Sequence, residues 1–258
     1  MKRIAGTIAS LFLIASTSAQ AEQTKAAGSM PSADDIRLVA PALEKYRLGP
    51  VGDLWKRPDL SPRDRSIATL AALIARNQTI EIPRYLELAL DHGVKPREIS
   101  EIITHLAFYA GWAEAMAAVS VAKDVFARRG IGADQLPAAS PAPLPLNQAA
   151  EAERAARVGG QFGTTAPGLV QFTTDLLFRD LWLRPDLAPR DRSLVTVSAL
   201  IALGQVAQLS SHLDLGMNNG LTRPEIGEVI THLAFYAGWP RAFSAMQVAK
   251  EVFEKRPK

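Results

Sequence analysis

The decapeptide Ile-Thr-His-Leu-Ala-Phe-Tyr-Ala-Gly-Trp occurs twice in this chain, at residues 103–112 and 230–239. Ten identical residues in one order do not recur by chance in a chain of 258. They mark an internal duplication, and a duplicated chain folds as two copies of one supersecondary unit. The register extends well beyond the block. Residues 54–126 align with residues 181–253 without a gap, at an offset of 127. Identity over that stretch is roughly 55 %, high for an internal repeat. Upstream the match weakens and slips by one residue, setting Val39-Ala-Pro41 beside Thr165-Ala-Pro167.

Four segments follow from this register. Residues 34–132 form a first repeat and residues 151–256 a second, each within the usual size of a domain. Residues 133–150 are a Pro/Ala-rich linker, in which Pro137, Pro141, Pro143 and Pro145 exclude a helix and favour extended chain. Residues 1–21 read as a secretory signal. Lys2 and Arg3 supply its charged start, residues 4–15 its apolar stretch and Ala19-Gln20-Ala21 its small-x-small cleavage pattern. The expected mature chain starts at Glu22, opens with a small polar stretch to residue 33 expected to be disordered, and is periplasmic or secreted. No later segment is long and apolar enough to predict stable membrane insertion once the signal is removed.

The net charge of +3 includes Lys2 and Arg3. The mature chain is therefore near about +1, too weak a field to favour nucleic acid as a partner. There is no cysteine, which removes disulfides, thiol redox chemistry and thiolate nucleophiles.

Inside each repeat the pattern is helical. Pro62-Arg-Asp-Arg-Ser66 opens a run to Ala75, and Pro189-Arg-Asp-Arg-Ser193 a run to Leu203. Proline suits a first helical turn because its missing N–H is not needed there. A second helix stops at Gly93 or Gly220, a third starts near Glu98 or Glu225, Gly111 or Gly238 interrupts it, and a last helix runs to Phe126 or Phe253. Alternating strand-type runs are scarce. The predicted fold is all-α, two tandem helical repeats packing apolar stripes together.

Three features carry candidate chemistry. In the third helix of the second repeat Glu228, His232 and Tyr236 recur every four residues, so they share one face, with Trp239 three residues on. Glu101, His105, Tyr109 and Trp112 repeat that face. A Glu one turn before a His can accept its N–H, fix the tautomer and raise its pKa, which poises the ring for proton transfer. The same spacing also fits a purely structural Glu–His pair. Secondly, His212 aligns with Tyr85, so the repeats are not equivalent. A zinc site from His212, His232 and Glu228 is conceivable, but the sequence-local metal spacings are missing, and neither metal nor cofactor is expected. Thirdly, the paired arginines of Arg63-Asp-Arg-Ser66 and Arg190-Asp-Arg-Ser193 fit either a substrate carboxylate or an Arg–Asp network between helices.

Together these motifs resemble the carboxymuconolactone decarboxylase family. The resemblance rests on Leu181-Trp-Leu-Arg-Pro-Asp-Leu-Ala-Pro-Arg-Asp-Arg-Ser193, Leu200-Ile-Ala-Leu-Gly204, His212, Asn219-Gly220, Glu225-Ile-Gly-Glu228 and His232-Leu-Ala-Phe-Tyr-Ala-Gly238. It covers both repeats. It implies an all-helical fold that assembles as a six-domain ring, so a tandem chain would form a homotrimer. It also implies a cofactor-free lyase acting on a small carboxylated lactone or related organic acid. In that reading Arg192 binds the substrate carboxylate, His212 and His232 deliver the proton and polarise the developing oxyanion, Glu228 orients His232, and Tyr236 and Trp239 exclude water. The related alkylhydroperoxidase D-like reductases use a Cys-x-x-Cys pair, a His and a relay Glu. Here the cysteine positions hold Gln205 and Gln208 in one repeat and Gln78 and Glu81 in the other, and the relay position holds Ser193 or Ser66. Peroxide or disulfide reduction is thus disfavoured. The alternative is a non-catalytic protein of the same fold that binds a small ligand or acts as a scaffold.

Overall fold

The computed structural model describes residues 30–256, and the expected signal segment lies outside them. The chain divides into two compact units, with the boundary between Gly49 and Pro50. The first contains α1 (Ala33–Val39) and α2 (Pro41–Leu48). Ser32 caps α1 reciprocally: its Oγ accepts the Asp35 N–H, and the Asp35 carboxylate accepts the Ser32 N–H. Ala40, ahead of Pro41, has φ −145° and ψ 69°. Ala166, ahead of Pro167, has φ −145° and ψ 71°. The slipped upstream alignment therefore corresponds to one backbone conformation, outside the helical region that a following proline disfavours.

The second unit holds α3 (Pro50–Leu54), α4 (Pro62–Ala75), α5 (Ile82–Asp91), α6 (Pro96–Tyr109) and α7 (Trp112–Arg128). After a 3-10 turn at Ala133–Gln135 the chain has no helix until α8 (Gln148–Phe162), as four prolines dictate. α9 (Pro167–Phe172) runs into a π-helical turn, Thr173–Phe178, and a 3-10 turn, Leu181–Leu183. The second set of repeat helices follows: α10 (Pro189–Leu203), α11 (Val206–Asn218), α12 (Arg223–Ala237) and α13 (Trp239–Lys255). Among the described residues there is no β-strand, so the protein is all-α with tandem helical repeats. No helix among them is long and apolar enough to cross a membrane. Gly111 and Gly238 have φ of 125° and 96°, a region open to glycine, and they separate α6 from α7 and α12 from α13.

α4 and α10 are apolar on nearly every side, and every residue from Asp64 to Ala75 and from Asp191 to Ala202 is buried. A helix with that composition belongs at the centre of a fold, and here the two pack against each other. α6 then lies on α10 as well as on α4, and α12 lies on α4 as well as on α10. The helix carrying each duplicated block thus rests on the central helix of the other repeat. This exchange decides which side chains meet.

Candidate functional sites between the repeats

The side-chain hydrogen bonds of Glu101, His105 and Tyr109, and those of Glu228, His232 and Tyr236, run to residues of the other repeat. In the first site, Glu228 on α12 accepts two hydrogen bonds from Arg57, at 2.7 and 2.8 Å, and one from Arg65 on α4 at 2.9 Å. His232 Nε2 lies 2.7 Å from Thr69 Oγ1, and Tyr236 OH accepts the Trp55 indole N–H at 2.9 Å. In the second site the repeats change roles. Glu101 on α6 accepts from Arg184 at 2.7 to 3.1 Å and from Arg192 at 3.0 Å. His105 Nε2 lies 2.7 Å from Thr196 Oγ1, and Tyr109 OH accepts the Trp182 N–H at 2.9 Å. Arg63 pairs with Asp191 and Glu98, and Arg190 with Asp64 and Glu225, in the same reciprocal fashion. Such exchange of partners is what a twofold relation between like units generates.

The tautomers of the block histidines follow from their neighbours. Thr69 Oγ1 donates to the Arg65 carbonyl at 2.8 Å, so its oxygen accepts from His232 Nε2–H. Nδ1 is then the bare nitrogen and faces Arg65 Nη1 at 3.4 Å. Thr196, Arg192 and His105 repeat the arrangement. Both rings are wholly buried. Burial, aided by the neighbouring Arg65, pushes His232 down to about 3. Burial and Arg192 hold His105 well below the ordinary histidine value. With both nitrogens engaged, these are neutral, interface-holding imidazoles.

These positions revise several expectations. Glu228 does not accept an N–H from His232, because two arginines occupy it, and the upward pull of its charge on the His232 pKa is outweighed by burial and Arg65. Burial raises the Glu228 carboxyl, but the bonds from Arg57 and Arg65 outweigh this and leave it below the usual range. Arg192 is fully buried against Glu101 and belongs to the second site, not to the site of His232. Trp239 lies on the surface of the chain, 53 % exposed, and packs on Phe235. Tyr236 does lie in the first site, hydrogen-bonded to Trp55 and, at 3.1 Å, to Tyr85. Most consequentially, His212 and His232 do not share a site. His212 on α11 stacks near-parallel with Trp182 and meets Tyr109 edge-on, with centroids 6.2 and 5.3 Å apart.

The two sites differ at that position. In the first, Tyr85, Tyr236 and Trp55 bond to one another, and the tyrosine hydroxyls satisfy each other. In the second, His212 Nδ1 is buried with no hydrogen-bond partner. Burial lowers His212 to about 4. The Tyr109 hydroxyl accepts from Trp182 and keeps its own proton free to donate, and burial raises its pKa. Each site holds one carboxylate between two guanidinium groups, a net single positive charge. The second is also strapped by the linker, since Arg184 donates to the carbonyls of Ala138 and Ala139 at 3.0 and 2.9 Å. Its counterpart Arg57 is 48 % exposed in its side chain, against 12 % for Arg184. Among the described residues no group of His, Cys, Asp or Glu is placed to hold a metal ion.

Trp55, Arg57 and Thr69, with Trp182, Arg184 and Thr196, escaped assignment from sequence. Their signal was present, because all six fall in the gapless aligned stretch at matching positions. What was hidden is that each works with the other repeat.

Buried neutral histidines make stability depend on acid. The unfolded chain takes up protons below about pH 6.5, whereas folded His212 and His232 resist until about 4 and about 3. The unfolded state binds more protons throughout that window, so stability falls as pH falls through it. A loss on the order of a few kcal/mol is expected between pH 6.5 and 4. Urea unfolding midpoints that stayed level over this range would contradict the neutral-histidine assignment.

Fold and site together define a class: an all-helical tandem-repeat protein with two buried His–Arg–Glu centres at the seam between its halves. The chain belongs to the carboxymuconolactone decarboxylase family, whose profile matches residues 41–124 and 167–251. It is similar to 4-carboxymuconolactone decarboxylase of Acinetobacter baylyi, with 42 % identity over 83 residues, 32 % of this chain and 62 % of that protein. It also resembles nitrosuccinic acid decarboxylase of Metarhizium robertsii, with 34 % identity over 87 residues, 34 % of this chain and 60 % of that protein. The matched stretch thus spans about three-fifths of either relative. A crystal structure described as a gamma-carboxymuconolactone decarboxylase subunit from Burkholderia xenovorans shares the fold, with a TM-score of 0.53 and 17 % identity, over 88 % of this chain and 93 % of that one.

Proposed function

We propose that the protein is a cofactor-free decarboxylase of small carboxylated lactones or related organic acids, working at the site of His212, Tyr109 and Trp182. The observation that carries this reading is the buried, unpartnered His212 Nδ1 beside a tyrosine hydroxyl with a proton to give. Both curated relatives are decarboxylases by name, and the net positive charge around Glu101 favours an anionic ligand.

The reaction consumes one proton, which His212 takes from solvent, and needs no other co-reactant. Loss of CO₂ breaks a carbon–carbon bond and leaves its electron pair in the conjugated lactone carbonyl as a dienolate. Tyr109 O–H donates to that oxygen as charge develops on it. A carboxylate arriving beside neutral His212 favours the imidazolium form, which then gives its proton to carbon. Arg192 and Arg184, held by Glu101, supply positive field from behind rather than a direct clamp. His232 and Glu228 build the other site, and Tyr236 closes it.

The test is CO₂ release from a panel of carboxylated lactones and nitro- or oxo-substituted diacids by the purified protein. Binding of these acids without release would favour the non-catalytic, ligand-binding reading. The charged and apolar pattern of residues 2–15 and the cleavage pattern at Ala19–Ala21 support an exported protein.

We assign the assembly as a homotrimer with six quasi-equivalent domains. Phe108, Trp112, Met116 and Val119 are exposed apolar residues on the first repeat, and Phe235, Trp239, Phe243 and Met246 are their exposed counterparts on the second. A duplicated apolar patch lets the first repeat of one copy meet the second repeat of the next, a head-to-tail contact that closes a ring. Light scattering should give three chains per particle at micromolar concentration; a monomer would refute the assignment.

A further inference from the structure

The His212 site carries an outer layer of its own. Phe178 stacks on Trp182 with centroids 6.0 Å apart and planes 10° apart, and Trp182 stacks on His212 at 6.2 Å and 14°. The guanidinium of Arg154 lies over Phe178, 4.4 Å from its centroid. Arg154 is fixed by two bonds to Glu151, at 2.7 and 2.9 Å, and one to Thr174 at 3.0 Å. Its third nitrogen, Nη1, is buried without a hydrogen-bond partner. An electron-rich ring face is the surface a cationic N–H prefers when no oxygen is in reach.

Phe178 reaches Trp182 because the helix ahead of it is wound wider. Thr173–Phe178 is π-helical, and the Arg179 N–H bonds back five residues to the Thr174 carbonyl at 3.1 Å. A π-turn shifts the side chains that follow it around the helix axis, and such turns recur at functional sites. The matching stretch of the first repeat, Val51-Gly52, offers no aromatic ring. There Trp55 stacks with Tyr85, at 6.2 Å and 19°, as Trp182 does with His212, and the tilted His92 is a further ring neighbour at 5.8 Å.

We propose that Arg154, Phe178 and Trp182 form a positioning stack that sets the ring plane of His212 and keeps water from it, built on only one of the two sites. Arg154 clamps Phe178, Phe178 holds Trp182, and Trp182 is at once a plate for the imidazole and the N–H donor to Tyr109. The stack thereby fixes both groups that face the substrate in the reading above, on which the inference rests. Phe178 and Arg154 are positioning residues and touch no reacting atom.

Selective ¹⁵N labelling of the four histidines reads the stack without any substrate. In Phe178→Ala the His212 ring resonances should move and its titration midpoint should rise by about one pH unit as water gains access. His232, in the other site, should keep its wild-type signals. Phe178→Trp should restore the His212 signals, and Arg154→Lys, which keeps charge but loses the planar face, should shift them part of the way. Unchanged His212 resonances in Phe178→Ala would overturn the proposal, and so would equal movement of His232, which would report general loosening. Kinetics give a separate arm. If the protein releases CO₂, Phe178→Ala should lower kcat about tenfold with little change in KM, and Phe178→Trp should recover it. If no acid is decarboxylated, the functional reading fails while the histidine spectra still decide the stack.

Discussion

Replacing His212 with Ala should lower CO₂ release by about 10²- to 10⁴-fold, the usual worth of a positioned general acid, while leaving the fold intact. His212 is half-buried, bonds to no other side chain through Nδ1, and holds no helix to another by hydrogen bond. Its removal therefore leaves no partner orphaned. His232→Asn is the informative control. It touches a ring with both nitrogens engaged in the other site, so it should lower stability and leave kcat per folded chain near wild type. Tyr85→His asks the converse question, since it places a histidine in the first site where the second has His212. Equal losses of kcat in His212→Ala and His232→Asn, measured on folded protein, would show that the two sites work alike. An unchanged rate in His212→Ala would remove that residue from the mechanism.

Replacing Glu101 with Gln should destabilise the protein by about 3–5 kcal/mol, the cost of leaving buried charge without its partner. Glu101 and Arg192 are both wholly buried, and Arg184 is nearly so. One carboxylate compensates two guanidinium groups, and Arg192 Nε already lacks a partner. Gln keeps the shape of the side chain but not the charge, so the loss reports electrostatics rather than a cavity. Urea unfolding measures it directly. Arg57→Ala, on the half-exposed counterpart in the other site, should cost much less because water can replace what is lost. A Glu101→Gln loss below about 1 kcal/mol would show that the triad is solvated and does not hold the repeats together.

Much of this architecture was legible in the chain. Pro62 and Pro189 begin their helices, Gly111 and Gly238 end theirs, and the prolines at 137, 141, 143 and 145 forbid a helix. Glu101, His105 and Tyr109 do share a helix, as their spacing demands, and the departure of His212 from Tyr85 does separate the two sites. The grouping of site residues was not legible. Spacing within α12 placed Glu228 beside His232, yet the carboxylate turned to Arg57 and Arg65 because a charge-assisted bond to guanidinium is stronger than one to a neutral imidazole. Trp239, three residues after Tyr236, was expected to help exclude water from the site. It is exposed, since Gly238 at φ 96° ends α12 and Trp239 opens the next helix, so the i to i+3 register with Tyr236 is broken.

The sequence by itself determined the helices, the duplication, the absence of thiol chemistry and the one position, 85 against 212, at which the copies part. Only the tertiary structure decided that α6 serves the second repeat and α12 the first, so that His212 stands with His105 and Tyr109 rather than with His232. Helical periodicity is a local property that fixes which residues lie on one face. Which helix that face meets depends on how the two buried central helices, α4 and α10, pack, and two repeats at roughly 55 % identity carry the same local signal whichever way they are paired.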